Sequence, residues 1–165
     1  MTDSAAAFRT VFVADPAKVH WATPIVFVVG AVGLYVASRW IQRTQARGLQ
    51  ASLRFYGLRI GAAGSGIGAV LAAFITFSEY RLCSTPIGGP DVAVVQGTVR
   101  DFSPMPPTGH ALERFAVDGV SFGFSGIGES CTFNQAAVFG GPLWEGRTVR
   151  VFYKHGRILR LDVGK

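Results

Sequence analysis

Few side chains in this chain combine a reactive type with a spacing that does chemistry. His110 stands three residues before Glu113, a pair that could act as general base and acid if both reached one face. Three-residue spacing achieves that on a helix. Here, however, a Pro-rich loop over 103–109 leads into a strand-like run, where the two side chains point to opposite faces. His20 abuts an apolar run and His155 sits beside Gly156 in a tight-turn pair, so neither finds a second catalytic group. Cys83 and Cys131 lack CxxC spacing and an activating neighbour, which argues against zinc and thiol-redox chemistry. In an oxidising compartment they could form one bridge, closing a loop of about fifty residues and worth roughly 4 kcal/mol in the chain-entropy model. The alternative is two unrelated thiols. With no nucleotide, metal or cofactor signature, the sequence predicts a protein that is not an enzyme and holds no cofactor; an enzyme using His110 and Glu113 is the remaining alternative.

The element that must position everything else is 21–80, a predicted transmembrane hairpin. Two apolar runs, with helices expected over about 22–40 and 59–79, carry no charge between their flanks. At about 1.5 Å per residue, Trp21 and Trp40 stand roughly 28 Å apart along a helix, close to the hydrocarbon thickness of a bilayer. Trp21, Trp40, Tyr56 and Tyr80 are the expected interface aromatics. The residues before the first run carry no net charge and Arg39 follows it at once, which speaks against a cleaved signal peptide.

The chain carries +6 at pH 7, but the cationic cluster Arg39, Arg43, Arg47, Arg54 and Arg59 lies between the two runs. Contact with anionic lipid explains that cluster without invoking nucleic acid. By the positive-inside tendency the loop is cytoplasmic, and both termini are then extracytoplasmic. Arg43, Arg47, Gln50 and Arg54 would share one helical stripe opposite Leu49, Leu53 and Tyr56, the pattern of a segment lying on lipid; a solvated basic loop explains them equally. Gly57, Gly61, Gly64 and Gly68 recur at small-xxx-small spacing, with Gly30 and Gly33 as candidate mates. They fit packing within the hairpin or a homodimer through the second helix.

A Ser-, Thr-, Pro- and Gly-rich linker over 81–91 leads to a β-domain over 92–165, while 1–20 forms an N-terminal segment with no assigned element, its apolar patch 8–13 included. Strands are predicted over 92–102, 113–117, 120–125, 147–154 and 157–163. The pairs Asp118-Gly119 and His155-Gly156 form two-residue hairpin turns. Alternation places Phe115, Val117, Val120, Phe122 and Phe124 in a core with Val149, Val151, Tyr153, Leu159, Leu161 and Val163. Arg114, Ala116, Ser121, Gly123, Ser125, Arg150, Lys154, Arg160 and Asp162 would form a solvated face. Trp144 is expected to plug the end of the sheet, with partner contact as its other role, and Pro106 and Pro107 form a stiff connection or a short recognition segment.

This strand order, with Leu143-Trp144-Glu145-Gly146, Val151-Phe152-Tyr153 and Ile158-Leu159-Arg160-Leu161, resembles OB-like barrels. Over 92–163 the chain is similar to small bacterial membrane proteins of unassigned function that carry such a domain after a helical hairpin. The expected class is an α+β membrane protein, a two-helix hairpin followed by a small antiparallel β-barrel of OB type; an open β-sandwich is the alternative. The outward positions of the middle strands hold no stacking aromatics, so single-strand nucleic-acid binding is not expected. The reading is a membrane-anchored extracytoplasmic binding or scaffold module of the bacterial inner membrane, with an accessory subunit of a larger complex as the alternative. Its partners would be the bilayer and a protein or a second copy.

Overall fold

The computed structural model describes residues 7–44, 49–109 and 111–165, so Arg47, Gly48 and His110 lie outside the described residues. The chain divides into two units, Met1–Val19 with Glu79–Lys165, and His20–Ser78.

The helical unit is built from α1 (Ala22–Thr44) and most of α2 (Leu49–Cys83). Both helices are long and apolar enough to cross a membrane. Each is longer than expected, because the segment read as a loop between about 40 and 59 is mostly helix. Its Arg, Gln, Ala and Leu residues are good helix formers. Arg39 and Arg43 therefore stand on the last turns of α1, and Arg54 and Arg59 on the first turns of α2. Within the apolar stretches, Ser38 and Ser78 donate their hydroxyl protons to the carbonyls of Tyr35 (2.7 Å) and Phe74 (2.8 Å), which satisfies those groups without water.

Less exposed residues recur along α1 as Pro24, Ala31, Leu34, Ser38 and Ile41, and along α2 as Leu58, Ala62, Ser65, Ala69, Ala72 and Thr76. Spacings of mostly three and four residues make one seam on each helix. Across it, a Cβ on Gly68 would stand 2.8 Å from the Phe27 ring and one on Gly61 3.3 Å from Leu34 Cδ1. These glycines accommodate large side chains. The expected mates Gly30 and Gly33 have open space, as do Gly57 and Gly64. Gly68→Ala is expected to destabilise the hairpin by about 1–3 kcal/mol through overpacking, while Gly64→Ala stays within about 0.5 kcal/mol. Thermal unfolding in one detergent, followed by far-UV circular dichroism, checks the contrast.

The second unit is a six-stranded antiparallel sheet in the order β1-β6-β5-β2-β3-β4. Its strands are β1 (Phe8–Val13), β2 (Ala93–Ser103), β3 (Glu113–Val117), β4 (Val120–Phe124), β5 (Thr148–Lys154) and β6 (Arg157–Gly164). Both hairpin turns have positive φ at both central residues: 46° and 79° at Asp118 and Gly119, 51° and 74° at His155 and Gly156. This is the backbone that the right-handed twist of two strands favours. β2 is shared between two halves of the sheet. Its Ala93 to Thr98 stretch pairs with β5, and the stretch from Val99 pairs with β3 through a bulge between Arg100 and Ser103. A bulge bends and twists its strand, so the sheet curls over one core.

The sheet is not closed into a barrel, which corrects the expectation. The edge of β6 is occupied by β1, the N-terminal patch left without an element, paired from Phe8 with Gly164 to Val13 with Arg160. Aromatic rings reach across the open side instead. Phe133 stands 5.4 Å from Phe12 of β1 and 4.8 Å from Phe124 of β4, and Phe122 stands 5.1 Å from Tyr153 of β5. The result is one hydrogen-bonded six-stranded sheet over one core.

The core contains the predicted Phe115, Val117, Phe122, Phe124, Val149, Val151, Leu161 and Val163, with Val120 and Tyr153 packed against it. Ile158 takes the place expected for Leu159, because the β5–β6 register shifts beside Tyr153 and moves Leu159, still buried, out of that cluster. Asp162 is also corrected. Expected in water, it is 1% exposed and accepts a hydrogen bond from Arg160 Nε at 2.8 Å. The same guanidinium donates through Nη2 to Thr10 Oγ1 on β1 at 2.9 Å, so the unforeseen strand explains this charge cluster as well.

Candidate ligand-binding pocket

The largest departure from the sequence reading is Glu113. The alternation that sends Phe115 and Val117 inward sends Glu113 inward too, and its side chain is 0% exposed. Its Oε2 accepts from the backbone N–H of Ala137 (2.8 Å) and of Met105 (3.4 Å), while the buried Oε1 has no hydrogen-bond partner among the described residues. Burial pushes the carboxyl above its usual range, against the two amides, which favour the anion. Glu113 thus ties two loops to the core.

A concave site does exist, at the end of β4. A cavity of about 360 Å³ opens between Gly123, Phe124 and Ser125, the connection that carries Ile127, Ser130, Thr132, Phe133 and Asn134, and the start of β6 at Arg157 and Ile158. The connection is held from three sides. Cys131 forms a disulfide with Cys83 at the end of α2, its carbonyl accepts from Asp15 N (3.3 Å), and Phe133 N donates to Ile158 O (3.2 Å).

Because the two residues beside Cys131 are Ser130 and Thr132, the cross-link also places two hydroxyls, 3.0 Å apart. Arg157 lies over them. Its Nε and Nη2 donate to Thr132 Oγ1 at 3.3 and 3.1 Å, and Nη2 reaches Ser130 Oγ at 3.5 Å. Ser130 Oγ in turn points to Glu79 Oε1 at 3.5 Å. Asn134 Nδ2 bonds Gly128 O at 3.0 Å and stiffens the rim. Phe124, Phe133 and Ile158 form the apolar wall.

This arrangement can hold and orient. The one carboxylate described against the Ser130 hydroxyl is that of Glu79 at 3.5 Å, and no imidazole lines the pocket among the described residues. No group of three or more His, Cys, Asp or Glu suited to a metal ion occurs among the described residues.

The other sites expected from the sequence lie elsewhere. Trp144 is not a plug. Leu143 takes the buried position in the loop before β5 and Trp144 faces outward, where it is 52% exposed with the Arg147 guanidinium 3.7 Å from the ring centre. Pro106 and Pro107 are exposed in a turn closed by Gly109 N to Pro106 O at 2.9 Å. Neither region lines the pocket. Trp21, just before α1, and Trp40, Tyr56 and Tyr80 on the helices are all exposed, and Arg59 stacks 4.6 Å from the Phe55 ring centre. The polar head of the pocket, Ser130, Thr132 and Arg157, carries no recognisable sequence motif. Small polar side chains in a Gly-rich connection form no motif; the one usable signal was that Ser130 and Thr132 flank a cysteine.

No protein-family model matches the chain, and no match was found among curated proteins or solved structures.

Proposed function

We propose that this chain is a membrane-anchored binding module: α1 and α2 cross the inner membrane of a bacterial-type envelope, and the sheet stands on the extracytoplasmic side with both termini. The observation that carries the reading is the pairing of β1 with β6. β1 precedes the helices and β6 follows them, and one hydrogen-bonded sheet cannot straddle a bilayer. An even number of crossings between them is what that pairing requires. Exposed apolar side chains support the spans, among them Ile25, Val26, Ile60, Val70 and Phe74, the last 71% exposed. Such a surface would be costly in water. The disulfide supports an oxidising side for the sheet, and the arginines near the helix ends at the turn support a cytoplasmic side for that turn.

A second reading, an accessory subunit of a larger complex, is favoured by Gly57 and Gly64, whose open space would admit a partner helix. Native mass measurement after detergent extraction separates the two by showing a lone chain or a stable hetero-complex.

Orientation is tested with a single new thiol, Lys165→Cys, since both native cysteines are bonded. The expected result is labelling by a membrane-impermeant maleimide on intact spheroplasts. Labelling only after permeabilisation would place the sheet in the cytoplasm and overturn the reading.

A further inference from the structure

We infer that the cavity beside β4 binds a small amphiphilic monoanion, a carboxylate with a short apolar tail, its head on Arg157, Ser130 and Thr132 and its tail against Phe124, Phe133 and Ile158. This rests on the binding-module reading and names the ligand class. Size is the first constraint: about 360 Å³ lies at the low end of cavities that hold small organic ligands. Polarity is the second. Phe124, Phe133 and Ile158 are apolar and the guanidinium and two hydroxyls converge at one place, so a ligand that uses both is divided in the same way.

Charge decides the head group. The guanidinium spends its bonds on two neutral hydroxyls, which leaves its positive charge without a carboxylate partner in those contacts. A planar carboxylate matches the guanidinium fork, and hydroxyls can turn their protons toward an anion. Arg157 is the one cation of the lining among the described residues, and Glu79 Oε1 stands behind Ser130 at 3.5 Å. With a carboxylate that near, a single negative charge on the ligand is opposed less than a phosphate dianion. The disulfide at Cys131 holds both hydroxyls in place before a ligand arrives, so less ordering is required on binding.

The probe is hexanoate, with hexan-1-ol as its neutral counterpart. Each is titrated into full-length, isotope-labelled protein in lipid nanodiscs while amide resonances are followed. Saturable shifts are expected at 130–134 and 156–158 with hexanoate, and affinity for hexan-1-ol at least about tenfold weaker, as loss of a charge-assisted hydrogen bond implies. Arg157→Gln should weaken hexanoate by a similar factor and leave hexan-1-ol unchanged; Arg157→Lys should restore part of the difference.

Equal affinity for acid and alcohol, no saturable shift, or hexanoate binding untouched by Arg157→Gln would each overturn the inference. Should the variant fail to fold, the comparison of acid and alcohol on the native chain already decides. Thiol labelling at position 165 reports orientation independently: an extracytoplasmic result without hexanoate binding removes this ligand class alone, and a cytoplasmic result removes the anchored-module reading.

Discussion

Replacing Cys83 and Cys131 together with alanine is expected to lower the stability of the β unit by roughly 4 kcal/mol. The cross-link spans 48 residues, between loop lengths for which restriction of the unfolded chain is worth about 3 and about 4.7 kcal/mol. For a unit of this size, such a loss lowers the thermal midpoint by about 15–30 °C. Alanine is the cleaner substitution, because both sites are buried and a serine hydroxyl there would add its own desolvation cost. The native protein under reductant should melt with the double variant. A difference below about 1 kcal/mol would mean that the contacts to Asp15 and Ile158 hold the connection unaided. Hexanoate affinity should fall as well, since Ser130 and Thr132 lose the anchor between them.

The second large effect is at Glu113. Its folded pKa is raised by burial, so the folded state binds the proton more tightly than the unfolded chain. The carboxyl's contribution is then fully present below the unfolded value of about 4.3 and is lost as pH rises through the higher folded value. Stability should therefore decline from mildly acidic toward neutral pH, opposite to the usual behaviour of a salt-bridged carboxylate. Glu113→Gln keeps the shape and an acceptor for the Met105 and Ala137 amides, and it is expected to flatten that slope and melt higher at neutral pH. Glu113→Ala strands both amides and opens a cavity, costing roughly 3 kcal/mol at any pH. Urea unfolding of the three proteins between pH 4 and 8 checks the sign. A native slope rising with pH would contradict the assignment.

What was legible in the sequence was local. Each hairpin carried its own turn pair and its own alternation, so β3, β4, β5 and β6 appear within a residue or so of their expected bounds. Two long apolar runs likewise announced two helices. What was not legible depends on distant partners. β1 is a six-residue patch of β-forming Phe, Thr and Val whose mate lies about 150 positions away, as the Thr10–Arg160 contact shows, and no adjacent hairpin turn pairs it locally. The barrel expectation failed on that omission. Parity contains the burial of Glu113, which shares a strand face with Phe115 and Val117. The pocket was hidden for another reason: its polar head joins a turn-following arginine to two hydroxyls from a connection without regular pattern, brought together by a cross-link and by backbone contacts.

The outer ends of β1 and β6 meet, with Lys165 N donating to Ala7 O at 3.2 Å beyond the β1–β6 ladder. β1, made about 150 residues before β6, therefore waits for it on the ribosome. Until β6 emerges, both β1 and β5 lack the neighbour that separates them in the finished sheet. Contacts between such distant positions form slowly, because the chain must close a long loop before any bond rewards it. Completion of this sheet thus waits until β6 has left the ribosome, and a chain without β6 would leave β1 and β5 exposed to pairing with other molecules.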